Sequence, residues 1–168
     1  MVGFYLPENN EWEEHVIEFN QLLGNNLLRL FSFELKKALT KGNYREAFFQ
    51  ALSKSSWANE GYLVAAEIIQ DDELLSELER LSASFGIGII QLDPMDIDSS
   101  SVLYPAHEKD RLDWEAINKL SDKNPEFRNF IKNVTMDLQC KYIHSAQYDE
   151  VKGKNIYEYI RKIFGTSR

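Results

Sequence analysis

Two nearly continuous apolar runs, residues 61–69 (GYLVAAEII) and 87–93 (IGIIQLD), constrain the fold of this sequence more than any other feature. Strands that are apolar at successive positions are typical of mixed or parallel sheets that are covered on both faces. Each run follows a segment with helical periodicity, at residues 44–53 and 71–84. We therefore predict a crossover unit and an α/β, or α+β, fold in which helices flank a mixed sheet.

The segments before this unit predict more strands. Residues 1–5 (MVGFY), 15–19 (HVIEF) and 27–36 have alternating or strongly apolar patterns, which indicates an antiparallel meander that ends with the third strand. Residues 101–105 (SVLYP) predict an edge strand. Asp71 is the predicted N-cap of the second helix, and Gly86 its end.

From Asp113 onward the sequence predicts helices. Asp113 and Asn124 are the expected N-caps of two of them, with Pro125 at the first position of the second. Residues 155–165 (NIYEYIRKIFG) predict a short amphipathic helix. We expect residues 1–105 to form the core and residues 106–168 a helical extension packed on it, within a single compact domain.

Composition excludes several classes of protein. The 168-residue chain has a net charge of −8 and a pI near 4.9, which is the wrong sign for a protein whose whole surface binds a polyanion. A single cysteine, Cys140, cannot form an internal disulfide, and no Cys/His group has zinc spacing. No apolar run is long enough to predict a membrane span, so we expect a cytoplasmic protein.

The third predicted strand carries Glu34 and Lys36 on its polar face, with Phe31, Phe33 and Leu35 on the other. A Glu-x-Lys triplet alone is a weak signal, and its spacing by itself favours a solvated ion pair on an open strand face.

The context of the triplet adds to the signal. The following helix carries Glu46 and Gln50 four residues apart and hence on one face. A carboxylate, a lysine and a carboxamide are therefore predicted to converge at one end of the sheet.

This combination suits metal-assisted chemistry on phosphate. Mg²⁺ prefers carboxylate and carbonyl oxygens together with water, and Glu34 with the Leu35 carbonyl offers two such ligands. A lysine beside metal-bound water can hold or activate the nucleophile and neutralise developing charge. Such chemistry also needs a second acid.

The order of a strand with Glu-x-Lys, a helix with glutamine and two buried strands resembles the PD-(D/E)xK, or restriction-endonuclease-like, superfamily over about residues 1–92. FSFELKK, REAFFQALSKSSWANEGYLVAAE, LSASFGIGIIQLDP, VLYPA and LDWEAINKL are similar to the C-terminal domain of restriction-associated bacterial proteins that often carry an N-terminal winged helix. The resemblance implies that Glu34 and Lys36 are the second acid and the lysine of the motif. It also implies that Gln50 is the supporting glutamine.

The sequence departs from this family at the first acid, an aspartate in a Pro-Asp pair before a strand like MVGF, because the chain starts at Met1. Two explanations remain open: Met1 is an internal methionine of a longer protein, which the abrupt first strand favours, or the chain is a natural short form. Glu18 on a neighbouring strand and Glu46 on the helix are conceivable replacement acids, although we favour a surface position for each. We expect weak Mg²⁺ binding and little or no cleavage.

The resemblance implies a metal-dependent DNA endonuclease, or a fragment of one, associated with bacterial restriction or defence. Glu34 would bind the metal, Lys36 would position water and Gln50 would orient the lysine or the phosphate, while Lys37, Lys41 and Arg45 would contact the DNA backbone. A missing N-terminal module or a protein partner would supply most of the DNA affinity. The alternative is a non-catalytic interaction or scaffold domain with a degenerate nuclease fold, in which Glu34 and Lys36 form a structural salt bridge. The sequence does not indicate an oligomeric state.

Two other features have structural and functional interpretations. Trp57 precedes the first buried run and either stacks on a base or packs between helix and sheet, and we favour packing. Asp93, Asp96 and Asp98 alternate as calcium ligands do, but the glycine and glutamate of a calcium loop are missing, which favours a solvated loop.

Overall fold

The computed structural model describes residues 1–7, 12–23, 27–140 and 142–149. The chain divides into two compact units, Met1–Leu112 and Asp113–Arg168. The described part of the first unit contains five strands and three α-helices: β1 (Val2–Tyr5), α1 (Glu14–Leu22), β2 (Arg29–Leu39), α2 (Tyr44–Lys54), β3 (Glu60–Ile68), α3 (Asp72–Phe85), β4 (Gly88–Gln91) and β5 (Ser101–Tyr104). The described part of the second unit contains α4 (Trp114–Lys123) and α5 (Pro125–Cys140).

The five strands form one mixed sheet in the order β1-β2-β3-β4-β5. Strands β2, β3 and β4 are parallel, and β1 and β5 pair with them antiparallel at the two edges. Parallel neighbours need crossover connections, which α2 and α3 supply. The predicted α/β class, the mixed sheet and the edge strand at residues 101–105 are therefore confirmed.

The core lies between the sheet and the two crossover helices. Leu63, Ala65 and Ile89 of the central strands meet Phe48 of α2 and Leu78 of α3, and all five are almost completely buried. Each large side chain removed from water in this way contributes about 1.5–3 kcal/mol. The two buried runs predicted from sequence are thus the centre of the sheet.

The ends of α3 follow the predicted signals. The Asp71 carboxylate accepts a hydrogen bond from the backbone N–H of Leu74 at 3.1 Å, and Gly86 ends the helix with a φ of 73°. That left-handed conformation favours glycine because it lacks a Cβ. The predicted N-caps Asp113 and Asn124 likewise accept hydrogen bonds from the first turns of α4 and α5.

The prediction of a strand at residues 15–19 is wrong, because these residues lie within α1. With no strand between them, β1 and β2 pair directly. A five-residue alternating pattern is too short to exclude a helix, and Val16, Phe19 and Leu23 also fit a spacing of three and four residues. The third predicted strand is confirmed but continues to Leu39, so Glu34 and Lys36 lie within β2 and not at its end.

The helix predicted at residues 155–165 lies outside the described residues. Among the residues that are described, no helix combines the length and apolarity needed to cross a bilayer.

Candidate metal–lysine site

The site is built where α2 crosses over β2. The Ser32 hydroxyl donates a hydrogen bond to the backbone carbonyl of Lys54 at 3.3 Å, which ties the last turn of the helix to the strand. Because side chains alternate along a strand, Glu34 and Lys36 share the face of Ser32 and project towards the same helix. The connection between strand and helix therefore determines which α2 side chains they meet.

Four side chains form one continuous chain of contacts. The Lys36 ammonium lies 3.0 Å from Oε1 of Glu34 and donates a hydrogen bond to Oε1 of Gln50 at 2.6 Å. The second oxygen of Glu34, Oε2, accepts a hydrogen bond from the Lys54 ammonium at 2.8 Å. Glu34, Lys36 and Gln50 thus converge as the sequence predicted, although their catalytic roles remain a prediction.

The Glu34 carboxylate is partly buried, with 12% of its side chain exposed. Burial acts to raise its pKa, but hydrogen bonds and charge from Lys54 and Lys36 outweigh that effect and hold the pKa below its ordinary value. Glu34 is therefore ionised at neutral pH. The charged carboxylate can bind a cation, and the ammonium groups of Lys36 and Lys54 contact its two oxygens.

The backbone of Leu35 lies beyond the last β2 residue that pairs with β1. Phe33 exchanges two hydrogen bonds with Met1, at 2.9 and 3.0 Å, so its N–H and C=O point towards β1. Backbone groups two residues apart along a strand point the same way, so those of Leu35 also face the β1 side. The last residue of β2 with a β1 partner in the sheet register is Ser32.

This donor set fits a hard divalent cation bound by few protein ligands. The Glu34 carboxylate and the Leu35 carbonyl are both oxygen donors, which Mg²⁺ prefers, and Mg²⁺ commonly completes its shell with water and phosphate. Within the described ranges, no three His, Cys, Asp or Glu side chains form a metal-binding group.

The residues predicted to contact nucleic acid do not form one surface. Lys37 follows Lys36 along β2, so its side chain lies on the opposite face of the sheet. Lys41 pairs with Asp71 at 3.0 Å and with Glu73 at 2.7 Å.

Arg45 is also held by neighbouring groups. Its guanidinium lies 3.6 Å from the Glu77 carboxylate and 5.5 Å from the centre of the Tyr44 ring. Lys41 and Arg45 are thus neutralised by acids of α3 and of the turn before it, and their contact with DNA remains a prediction.

The two possible replacement acids have different positions. Glu46 accepts a hydrogen bond from Nε2 of Gln50 at 3.0 Å, so it joins the chain of contacts at the end away from Glu34. Glu18 lies on helix α1, so the hypothesis that it reaches the site from a neighbouring strand is wrong.

The remaining sequence features are structural. Trp57 is 2% exposed, so it packs as expected and presents no surface for a base. The Asp93 carboxylate accepts hydrogen bonds from the backbone N–H groups of Met95 and Asp96, which closes a turn.

Sequence reasoning missed two charged groups. Lys54 lies four residues after Gln50 and eight after Glu46, so the helical spacing already placed it on the same face of α2. The second is the buried carboxylate of Asp137 in α5, which accepts hydrogen bonds from His144 and Tyr148. It has no comparable local signal because its partners lie beyond the end of the helix.

Comparison of the chain with family models, with curated proteins and with solved structures finds no match.

Proposed function

We propose that the first unit is a metal-dependent, DNA endonuclease-like domain whose site is formed by Glu34, the Leu35 carbonyl, Lys36 and Gln50. The observation that carries the proposal is the position of the Lys36 ammonium between Oε1 of Glu34 and Oε1 of Gln50, at 3.0 and 2.6 Å. Restriction or defence association and DNA as the substrate are supported by the resemblance of the sequence alone.

Each residue has a role that its position allows. Glu34 and the Leu35 carbonyl would hold the cation. When bound, such a cation polarises a phosphoryl oxygen and lowers the pKa of the water bound to it. Lys36 would hold the attacking water and stabilise negative charge on the phosphate. Gln50 accepts a hydrogen bond from Lys36 and donates one to Glu46, so it fixes the direction of the ammonium.

The charge of the chain limits how the domain works. With a net charge of −8, and with Lys41 and Arg45 paired to acids, the surface attracts a polyanion weakly. Another module or a protein partner would supply affinity for DNA, and the domain would supply the cleavage chemistry. A further acid at the β1 side of Glu34 would be needed for full activity.

A non-catalytic function is the second candidate, and the Lys54–Glu34 contact favours it. A carboxylate bound by two lysines is also a stable structural ion pair, which would fix α2 on β2 without any metal. In that case the domain would act as an interaction or scaffold module.

Thermal unfolding of the full chain with Mn²⁺ or Mg²⁺ distinguishes the two candidates. At about ten times the dissociation constant, metal binding should raise the Tm by about 3–6 °C. The substitution Glu34→Gln should abolish this rise. Glu115→Gln, which alters another lysine-paired carboxylate, is the matched control and should retain it.

Metal that leaves the Tm unchanged, or raises it equally in Glu34→Gln, would contradict the metal-dependent function and favour the scaffold.

A further inference from the structure

Lys54 is the member of the cluster to which the proposed function gives no role. It is the last residue of α2, and its ammonium contacts Oε2 of Glu34 at 2.8 Å. The other oxygen, Oε1, is 3.0 Å from the Lys36 ammonium. Each oxygen of the only carboxylate proposed to bind metal is therefore next to a positive charge.

The two lysines are held to different degrees. The side chain of Lys36 is 28% exposed and is also bound to Gln50, whereas that of Lys54 is 61% exposed. The backbone of Lys54 is anchored through its carbonyl to the Ser32 hydroxyl. The Lys54 ammonium can therefore leave Glu34 while helix α2 stays in place.

We propose that Lys54 is an internal competitor of the divalent cation at Glu34. This inference rests on the function proposed above and concerns the regulation of the same site. A dication and an ammonium group at the same carboxylate oxygen repel each other, so metal binding must displace Lys54. Lys54 thus occupies one of the two Glu34 oxygens that the cation would use.

Displacement also couples the metal to the substrate. An ammonium that leaves Glu34 needs another anionic partner, and a backbone phosphate of a nucleic acid beside the site would provide one. Metal and nucleic acid would then favour each other's binding. Without nucleic acid, Lys54 would keep the metal affinity low.

Isothermal titration calorimetry of the full chain with Mn²⁺ alone tests this proposal. Because losing an exposed ion pair of about 0.5 kcal/mol corresponds to about a two- to threefold change in affinity, Lys54→Met should tighten Mn²⁺ binding by that factor. Lys54→Arg keeps the charge and should bind Mn²⁺ no more tightly than wild type. Lys119→Met is the matched control, since Lys119 is an exposed lysine paired with Glu115 at 2.7 Å.

The outcomes separate this proposal from the one on which it rests. Equal Mn²⁺ affinity in wild type and Lys54→Met, with binding lost in Glu34→Gln, would overturn the role of Lys54 and leave the metal site standing. Mn²⁺ binding that is measurable in wild type, tighter in Lys54→Met and abolished by Glu34→Gln would support both. Mn²⁺ binding by neither protein, or binding that is insensitive to Glu34→Gln, would overturn the metal site and the competition together.

Discussion

The carboxylates of Glu34 in the first unit and Asp137 in the second are both held by neighbouring side chains, but by different kinds of donor. Glu34 is bound by the ammonium groups of Lys36 and Lys54. Asp137 is 1% exposed and is bound by the Tyr148 hydroxyl at 2.6 Å, by Nδ1 of His144 at 2.6 Å and by the His144 backbone N–H at 3.2 Å.

This difference indicates which of the two carboxylates can exchange its partners. The Tyr148 and His144 donors are part of the fold of residues 142–149, so replacing them means unfolding that segment from α5. Lys54 is an exposed cation whose departure costs little. A cation from solution can therefore compete at Glu34, while Asp137 is suited to a structural role.

The largest effect is expected from Asp137→Ala. The substitution removes a buried carboxylate and leaves its partly exposed partners, His144 and Tyr148, without their acceptor, so we expect the free energy of unfolding to fall by about 1–3 kcal/mol. Urea denaturation followed by circular dichroism measures the change. Gln139→Ala, at an exposed position of the same helix, is the control and should change stability by less than about 0.5 kcal/mol.

A loss of stability as small as that of the control would show that Asp137 does not hold this part of the second unit together. The contrast between the two carboxylates would then have no energetic basis.

Acid should weaken both clusters. Burial acts to raise the pKa of Asp137, but the hydrogen bonds from Tyr148 and His144 outweigh it, so its pKa, like that of Glu34, is lowered from the ordinary values of 3.8 and 4.5. A lowered pKa in the folded state means that the unfolded state binds more protons as the pH falls. The stabilisation is thus present above the ordinary pKa and is lost as the pH falls through the folded value.

Unfolding free energies measured between about pH 6 and pH 3 test this. The wild type should lose stability below about pH 5, and Asp137→Asn and Glu34→Gln should each show a shallower dependence. Identical slopes in all three proteins would contradict the lowered pKa values.

Glu34→Gln should have a smaller effect on the metal-free protein. The amide cannot pair with two ammonium groups, but both lysines can turn towards water, so we expect a loss of about 1 kcal/mol. Urea denaturation without metal measures it. A loss equal to that of Asp137→Ala would mean that the Glu34 cluster is as structural as the Asp137 cluster, which favours the scaffold function.

The smallest effect is expected from Lys54→Met without metal. An exposed pair is screened by salt, so the loss of stability should be at most about 0.5 kcal/mol in low salt and should vanish at about 1 M NaCl. Denaturation curves at the two salt concentrations measure it. A loss above about 2 kcal/mol that persists in high salt would contradict the view that Lys54 leaves Glu34 easily.

The sequence predicted those elements whose signals are local. The buried runs of β3 and β4 and the caps Asp71, Asp113 and Asn124 were correct because apolar pattern and capping act within a few residues. Helix α1 was not predicted, because its apolar residues also fit a short strand. The convergence of Glu34, Lys36 and Gln50 was predictable because the helix follows the strand directly and must return over it.

What the sequence did not reveal depends on long side chains and on chain reversals. Lys54 reaches Glu34 across the surface, and its spacing from Gln50 shows only that the two share a helix face. The contacts of Asp137 with His144 and Tyr148 require the chain to fold back after α5. No periodicity in the sequence indicates that the chain reverses its direction after α5.

An amide NMR spectrum of the full chain titrated with Mn²⁺ tests most directly whether Glu34, and not Asp137, binds a divalent cation. Paramagnetic Mn²⁺ broadens signals most strongly beside its binding site, so we expect the signals of Leu35 and Gln50 to be lost at the lowest Mn²⁺ concentration. Glu34→Gln should prevent the loss. Broadening that begins at residues 142–149, or that spares Leu35 and Gln50, would contradict the assignment of the metal–lysine site.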